Sequence, residues 1–315
     1  MADHRGYNHM HLNGFVDVIS KAFLDIVIQP GQQPDERAAI HSMIDHFMPE
    51  HPDTFIITAD RGYESYDLIF HLELRKFCYV LRVKAPDTPT SILSTFVDEL
   101  PMDQDEFDVT VKRFFTDKYT NEMKDRPQVY HYMNPHKNIP HFAPLLDNRH
   151  LVYLAFRVVK LKSPSGSFEY LITNLPYTFD TEDIRACYHW RWGCEISFRY
   201  LKHAAGLLYF HSKLPDFLIQ EIYAALVMYN FGVFLANEAA DEYHRNHGSP
   251  DNKYHYSIDF STAIRTARKY FLHCLCGKHI DIIRLLCRFV HAVKEQYRQF
   301  ARPLRGIGAI RFNYR

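Results

Sequence analysis

Three consecutive segments between residues 54 and 83 constrain the fold of this chain more than any other feature. Residues 54–58 (TFIIT) are a compact β-rich run that ends at Ala59-Asp60-Arg61-Gly62. Residues 65–75 look helical, and residues 77–83 (FCYVLRV) read as a second, buried strand. Strand, helix and strand in that order predict an α/β sheet. Upstream, residues 11–20 and 23–29 read as a β-hairpin ended by Pro30-Gly31. Residues 35–47 then place Ala39, Ile40, Met43, Ile44 and Phe47 at the spacing of one helix face.

The middle of the chain has a different texture. Residues 107–115, 152–159 and 168–173 are strand-like, and Pro and Asn cluster between Pro127 and Pro144. Residues 86–176 therefore read as a β-rich insertion. Asp180-Thr181-Glu182-Asp183 has the chemistry of a helix N-cap, and the helix it opens is expected to run to about Ala205, before Gly206. A second, strongly apolar helix is expected over residues 216–238, and one or two more within 261–300. The expected division is 1–85 and 177–240 for the α/β core, 86–176 for the insertion, and 241–315 for a basic helical region and tail.

Charge matters here by position. Lys plus Arg equals Asp plus Glu, 37 each, so the total gives no argument for a polyanionic partner. From Arg265 to the end, however, Lys and Arg outnumber the acids Asp281 and Glu295 severalfold, which is the footprint expected of a DNA contact. The first residues, MADHRGYNHMHLNG, contain no apolar run and are not expected to act as a secretory leader. The most apolar stretch, 217–236, is interrupted by Gln220, Glu221 and Asn230, so a buried helix is expected there and not a membrane span. The six cysteines include no CxxC pair, which points to reduced thiols in a cytoplasmic protein. Cys274 and Cys276, with His273 and His279, lack the second pair that a zinc finger requires. His131, His136 and His141 recur every five residues in the Pro/Asn-rich stretch, where an exposed polar loop is the expected explanation and a metal site the alternative.

Two places could carry chemistry. Asp60 stands at the carboxyl end of a strand, where open α/β sheets collect their sites, although a strand-end Asp is also an ordinary turn former. Tyr188, Arg191, Glu195 and Lys202 stand at i, i+3, i+7 and i+14, within an arc of about 60° on a helix. A solvated face would explain such a stripe. But Trp190, Trp192, Ile196, Phe198 and Leu201 make the same helix apolar over much of its circumference, and a polar stripe there suits metal and phosphate binding.

The stripe, written YHWRWGCEISFRYLK, resembles the Y-R-E-K motif of DDE transposases of the "insertion sequence four" type. TADRGYES around Asp60 is similar to the second-aspartate motif of that family, and NHMHLNGFVDVISKAFLDIVIQP to the hairpin that follows its first catalytic strand. LITNLP, HSKLPDFLIQEIYA and RFNYR extend the likeness over nearly the whole chain. The resemblance implies an RNase H-like fold with a β-rich insertion before the Glu-bearing helix. It implies Mg²⁺ (or Mn²⁺) held by Asp60 and Glu195, and Tyr188, Arg191 and Lys202 on DNA phosphates. It also implies cleavage and strand transfer of transposon-end and target DNA, with a DNA-induced homodimer to pair two ends. One departure stands out: the family's first Asp has no counterpart. Asp3 lies in a polar leader, and Asp17 and Asp25 fall on the later hairpin. The expectation is an N-terminally truncated transposase whose core lacks its first strand. The alternatives are a catalytically dead derivative that binds DNA or transposase, and a Mg²⁺-dependent nuclease of the same fold.

Overall fold

In the computed structural model, which describes residues 9–163, 166–247, 255–277 and 281–293, the expected hairpin consists of β1 (Met10–Val16) and β2 (Phe23–Pro30). They pair antiparallel from Met10↔Pro30 to a register shift at Phe15/Val16. Asp17 builds the connecting turn by accepting from the Ile19 N–H and the Ser20 hydroxyl, and Lys21 takes the left-handed conformation (φ 66°). Helix α1 (Glu36–His46) starts at Asp35, whose carboxylate accepts from the Ala38 N–H, and it buries Ala39, Ile40, Met43 and Ile44.

The strand–helix–strand reading holds. β3 (Ile56–Ala59) and β4 (Cys78–Val83) are parallel, with Ile56 opposite Cys78, and α2 (Tyr66–Leu74) connects them behind an N-cap at Ser65. Residues 52–54, ahead of β3, form a 3-10 turn opened by Pro52, which delays the strand by two residues relative to expectation. Then follow β5 (Phe107–Thr116), α3 (Asn121–Asp125), β6 (Tyr130–Tyr132), β7 (Leu151–Lys162) and β8 (Phe168–Thr173). All strands from β3 to β8 make one mixed sheet in the order β3-β4-β8-β7-β5-β6. The strands of the middle segment thus continue the β3–β4 sheet, through an antiparallel β4–β8 pair with Val80 opposite Thr173.

Alternation along β4 divides the sheet into two faces. Tyr79, Leu81 and Val83 pack with Met43, Ile44, Leu68, Ile69, Phe70 and Leu72 of α1 and α2. Val80 points the other way, with Val159, Leu161 and Leu171, against Ile184, Cys187 and Tyr188 of α4 (Thr181–Trp190). Helices therefore cover both faces of the β4 region, and α4 has the opposite face from α1 and α2.

After α5 (Trp192–His203) comes α6 (Pro215–His247), longer than expected. It is long and apolar enough to cross a membrane by composition, and only 28% of its most apolar window is buried, where the sequence predicted a buried helix. The difference is one of faces: Leu218, Ile222, Tyr229 and Val233 are buried, while Phe217, Val227 and Phe234 are exposed. Its polar residues are structural. The Tyr229 hydroxyl donates to the Lys21 carbonyl (2.7 Å), and the Asn230 side chain both accepts from and donates to the Phe23 backbone (2.9 and 2.8 Å).

The chain divides into two units, Met1–Asn230 and Phe231–Arg315. In the second, the rest of α6 meets α7 (Phe260–Leu275) so closely that a Cβ on Gly232 would lie 2.9 Å from the Ile264 Cα. β9 (His255–Ile258) and β10 (Val290–Val293) pair antiparallel, with α8 (Ile282–Leu286) ahead of β10. The basic tail after Val293 lies outside the described residues, as do Asp3 and His279.

Candidate active site

Asp60 follows β3 directly and caps a 3-10 turn over Arg61–Tyr63, its Oδ1 accepting from the Arg61 N–H at 2.7 Å. It is therefore a turn former, as the simplest reading held. But the same oxygen also accepts from the Tyr188 hydroxyl at 3.4 Å, across 128 residues of sequence. Arg82, on the neighbouring strand β4, places Nη1 3.8 Å from that oxygen and Nη2 3.2 Å from Glu169 Oε1. Arg82 was not singled out in the sequence. The available signal was its position in FCYVLRV, two residues after Val80 and hence on the face that α4 covers.

α4 reaches Asp60 because its start is anchored twice. Asp180 and Asp183 form a reciprocal capping box. The preceding loop is held by buried Arg157, whose Nη1 donates to the carbonyls of Leu175, Pro176 and Phe179. From there Ile184 and Tyr188 descend onto the sheet.

The single helix expected from Asp180 to about Ala205 is two segments that meet at Arg191. Arg191 keeps helical dihedrals (φ −48°, ψ −32°), but the bonds around it are tightened. Its N–H donates to Tyr188 O (3.1 Å), and Cys194 N–H donates to Arg191 O (2.9 Å). The physical cause is a change of support. α4 lies on the six-stranded sheet, whereas α5 lies on the hairpin. Phe198 meets Phe23 edge-to-face at 5.1 Å, Ser197 donates to the Lys21 carbonyl, and a Cβ on Gly193 would come within 3.2 Å of Val18 Cβ.

Arg191 stands at this junction, 21% exposed at its side chain. Its Nη2 lies 3.3 Å from Glu195 Oε1, and its guanidinium carbon 5.5 Å from the centre of the Tyr188 ring. Burial works against its charge, but Tyr188, Asp60 and Glu195 outweigh that and hold its pKa above the ordinary value. Arg191 thus senses both carboxylates. Its Nε is buried without a hydrogen-bond partner. The Tyr188 hydroxyl is held in its protonated form, first by burial and then by Asp60, against the opposing pull of Arg191 and Arg82. Lys202 is exposed in the last turn of α5, about 10 Å further along the helix than Glu195.

Two further groups border the site. Burial, followed by Glu36, Cys194 and Asp60, raises the Tyr63 hydroxyl to about 12. Glu36, at the start of α1, lies 3.3 Å from His11 Nε2, and its Oε2 is 3.6 Å from where a Cβ on Gly62 would stand. Nothing in the sequence pointed to Glu36, because its nearness to the Asp60 loop depends on how α1 packs. The two hairpin acids are engaged elsewhere, Asp17 in the turn and Asp25 with His46 Nδ1 at 2.8 Å.

The evenly spaced histidines do not converge. His131 is packed between Tyr66 and Phe115 and lowered to about 4, by burial first and then by Arg113 and Lys137, while His136 is exposed and His141 meets His41 and His71. The exposed-loop expectation therefore holds for His136 alone.

Asp60 and Glu195 each offer carboxylate oxygens, and Arg191 is the residue whose charge both of them reach. Both carboxylates are nearly half exposed, 43% and 45% at the side chain, and flanked by two guanidiniums and a phenol. Such a donor set fits a hard divalent cation such as Mg²⁺ or Mn²⁺, and the neighbouring cations fit phosphate. The family model for the transposase DDE domain matches residues 2–231. No curated protein matches the chain.

Proposed function

The chain belongs to the transposase DDE domain family, and on that footing we propose that its Asp60–Glu195 site cuts and joins DNA strands with a divalent cation, in the manner of the "insertion sequence four" type. The observation that carries this reading is the hydrogen bond between the Tyr188 hydroxyl and Asp60, which joins two distant motifs at one place. Asp60 and Glu195 would hold Mg²⁺ or Mn²⁺. The cation would supply Lewis acidity and make a hydroxyl or water oxygen nucleophilic near neutral pH.

The chain's own residues orient the DNA. Arg191, charged and 3.3 Å from Glu195, would pair with a phosphate through its planar fork, leaving Glu195 to the cation. Tyr188 can donate its retained proton to a second phosphate oxygen. Lys202 would meet a different phosphate further along the duplex. The exposed Arg265, Arg268, Lys269, Arg284 and Arg288 of the second unit would add contacts to the backbone. Pairing of two transposon ends would bring two chains together on DNA.

The family's first Asp has no assigned residue here. Among the described residues β3 is an edge of the six-stranded sheet and the β1–β2 hairpin is a separate sheet, which leaves a place beside β3 for a further strand of an RNase H-like core. A second reading, DNA binding without cutting, is favoured by the engagement of Asp17 in its turn and Asp25 with His46, which removes both hairpin acids as substitutes.

The test is nicking of supercoiled plasmid that carries the ends of the element encoding this chain, with Mg²⁺ or Mn²⁺. Nicking lost in Asp60→Asn and Glu195→Gln, with retention of DNA in gel shift unchanged, would support the catalytic reading. Retention of DNA with background nicking in the unmodified chain would support the second. Nicking that survives both substitutions would refute the site assignment.

A further inference from the structure

Three histidines that are far apart in sequence converge in the first unit, and among the described residues none of them shares a hydrogen bond or ion pair with Asp60 or Glu195. His41 lies on α1, His71 on α2, and His141 in the connection between β6 and β7. One ring nitrogen from each falls within 4.8 Å of the others. His71 is fully buried, and the side chains of His41 and His141 are 16% and 17% exposed. The rings stack, with centroids 3.8 Å apart for His71–His141 and 4.5 Å for His41–His141.

The second nitrogen of each ring is what makes this cluster unusual. His71 Nε2 lies 3.1 Å from Asp45 Oδ1. His41 Nε2 lies 3.1 Å from Asp67 Oδ2, and His141 Nδ1 lies 3.0 Å from the same oxygen. A nitrogen facing a carboxylate carries the proton, so the three contacts leave His41 Nδ1, His71 Nδ1 and His141 Nε2 as the lone-pair nitrogens. An imidazole that donates one N–H to a carboxylate and keeps the other nitrogen free is the usual state of a metal-ligating histidine. The carboxylate contacts allow all three rings to adopt that state.

The geometry of the free nitrogens adds a second argument. His41 Nδ1 and His71 Nδ1 face one another at 2.8 Å. In that state the two lone pairs need a proton or a metal ion between them. His141 Nε2 has no hydrogen-bond partner among the described residues. A single proton shared by the two Nδ1 atoms would leave His141 without a role in the cluster. A metal ion gives all three nitrogens a partner.

We propose that His41, His71 and His141 bind one Zn²⁺ ion, with Asp67 and Asp45 orienting the rings. Zn–N bonds of about 2.0–2.1 Å put tetrahedral ligands roughly 3.4 Å apart, and one nitrogen of each ring already lies within 4.8 Å of the others; the stacked His141 ring has to turn so that its lone pair meets the ion. Three imidazoles suit Zn²⁺ and are poor ligands for Mg²⁺, which separates this site from the Asp60–Glu195 pair. Its role is structural. The ion ties the β6–β7 connection to α1 and α2, closing a loop of about a hundred residues. Asp67 already begins that link, since its Oδ1 accepts from the His141 backbone N–H at 3.0 Å.

The experiment uses the full chain without an affinity tag, stripped with chelator and titrated with Co²⁺ as the coloured substitute for Zn²⁺. One equivalent should produce a visible absorption band that Zn²⁺ bleaches and millimolar Mg²⁺ does not. Zn²⁺ at hundredfold excess over its Kd should raise Tm by about 5–10 °C. His141→Ala should abolish the band. Asp45→Asn, at a half-exposed residue outside the ligand set, should weaken Co²⁺ binding about 10–100-fold in a protein with unchanged circular dichroism. Asp60→Asn should keep the band. The proposal is overturned if the unmodified chain shows no band and no shift in Tm at micromolar Co²⁺ or Zn²⁺. It is equally overturned if the band survives in folded His141→Ala or disappears in Asp60→Asn.

Discussion

Replacing Arg157 by Leu tests the anchoring of α4 most directly. Arg157 is 3% exposed and its guanidinium is fully engaged. Nε donates to Asp108 Oδ1 at 3.1 Å, Nη2 donates to the other carboxylate oxygen, and Nη1 donates to three carbonyls of the loop that leads into α4. Its guanidinium carbon also lies 4.2 Å from the centre of the Tyr177 ring. Leu would restore apolar volume but leave Asp108, 16% exposed at its side chain, as an unpaired charge. Removing one partner of a buried ion pair costs about 3–5 kcal/mol, and the stranded carbonyls keep the expectation at the upper part of that range.

The assay is urea unfolding followed by tryptophan fluorescence. The chain has two tryptophans, Trp190 and Trp192, and they flank Arg191 at the α4–α5 junction, so the signal reports the helix in question. The midpoint should fall at unchanged slope. Adding Asp108→Leu to Arg157→Leu should recover part of the loss, because the unpaired charge is then gone. A loss below about 1 kcal/mol would refute the reasoning, since that is the range of an exposed ion pair.

Lys202→Ala should weaken binding to duplex DNA evenly across sequences and lower the salt dependence by about one phosphate contact, measured by fluorescence anisotropy at rising salt. An unchanged slope would remove Lys202 from the DNA face. Asn230→Leu should destabilise the first unit by about 1–3 kcal/mol, because the Phe23 N–H and carbonyl both lose their partner; chemical denaturation measures it. Burial, aided by Glu195 and opposed by Arg191, raises the Cys194 thiol to about 11. At pH 8 only roughly one such thiol in a thousand is ionised, so iodoacetamide followed by peptide mass mapping should find exposed Cys276 labelled well before Cys194.

The features legible in the sequence are those set within a few residues. The β3–α2–β4 unit came from short apolar runs around a helical spacing, and the helix starts at Ser65 and Asp180 from side chains that accept N–H groups three residues on. The Tyr188-Arg191-Glu195 stripe was visible because helical dihedrals persist through Arg191, even where the hydrogen bonding shifts. Hidden features depend on which distant surfaces meet. Nothing local says that β8 pairs with β4, or that Arg82 lies beside Asp60. The tightened bonding at Arg191 arises where support passes from the sheet under α4 to the hairpin under α5, two supports that no periodicity encodes. The regular spacing of His131, His136 and His141 suggested a relation among them, whereas packing separated them and set His141 on His41 and His71. The apolar run of α6 announced a helix but not its exposure, because composition counts apolar residues without saying which face finds a partner. Backbone preference and periodicity act over three or four residues. Contact between elements is decided by the competition of all buried surfaces at once, and that competition exists only in the folded chain.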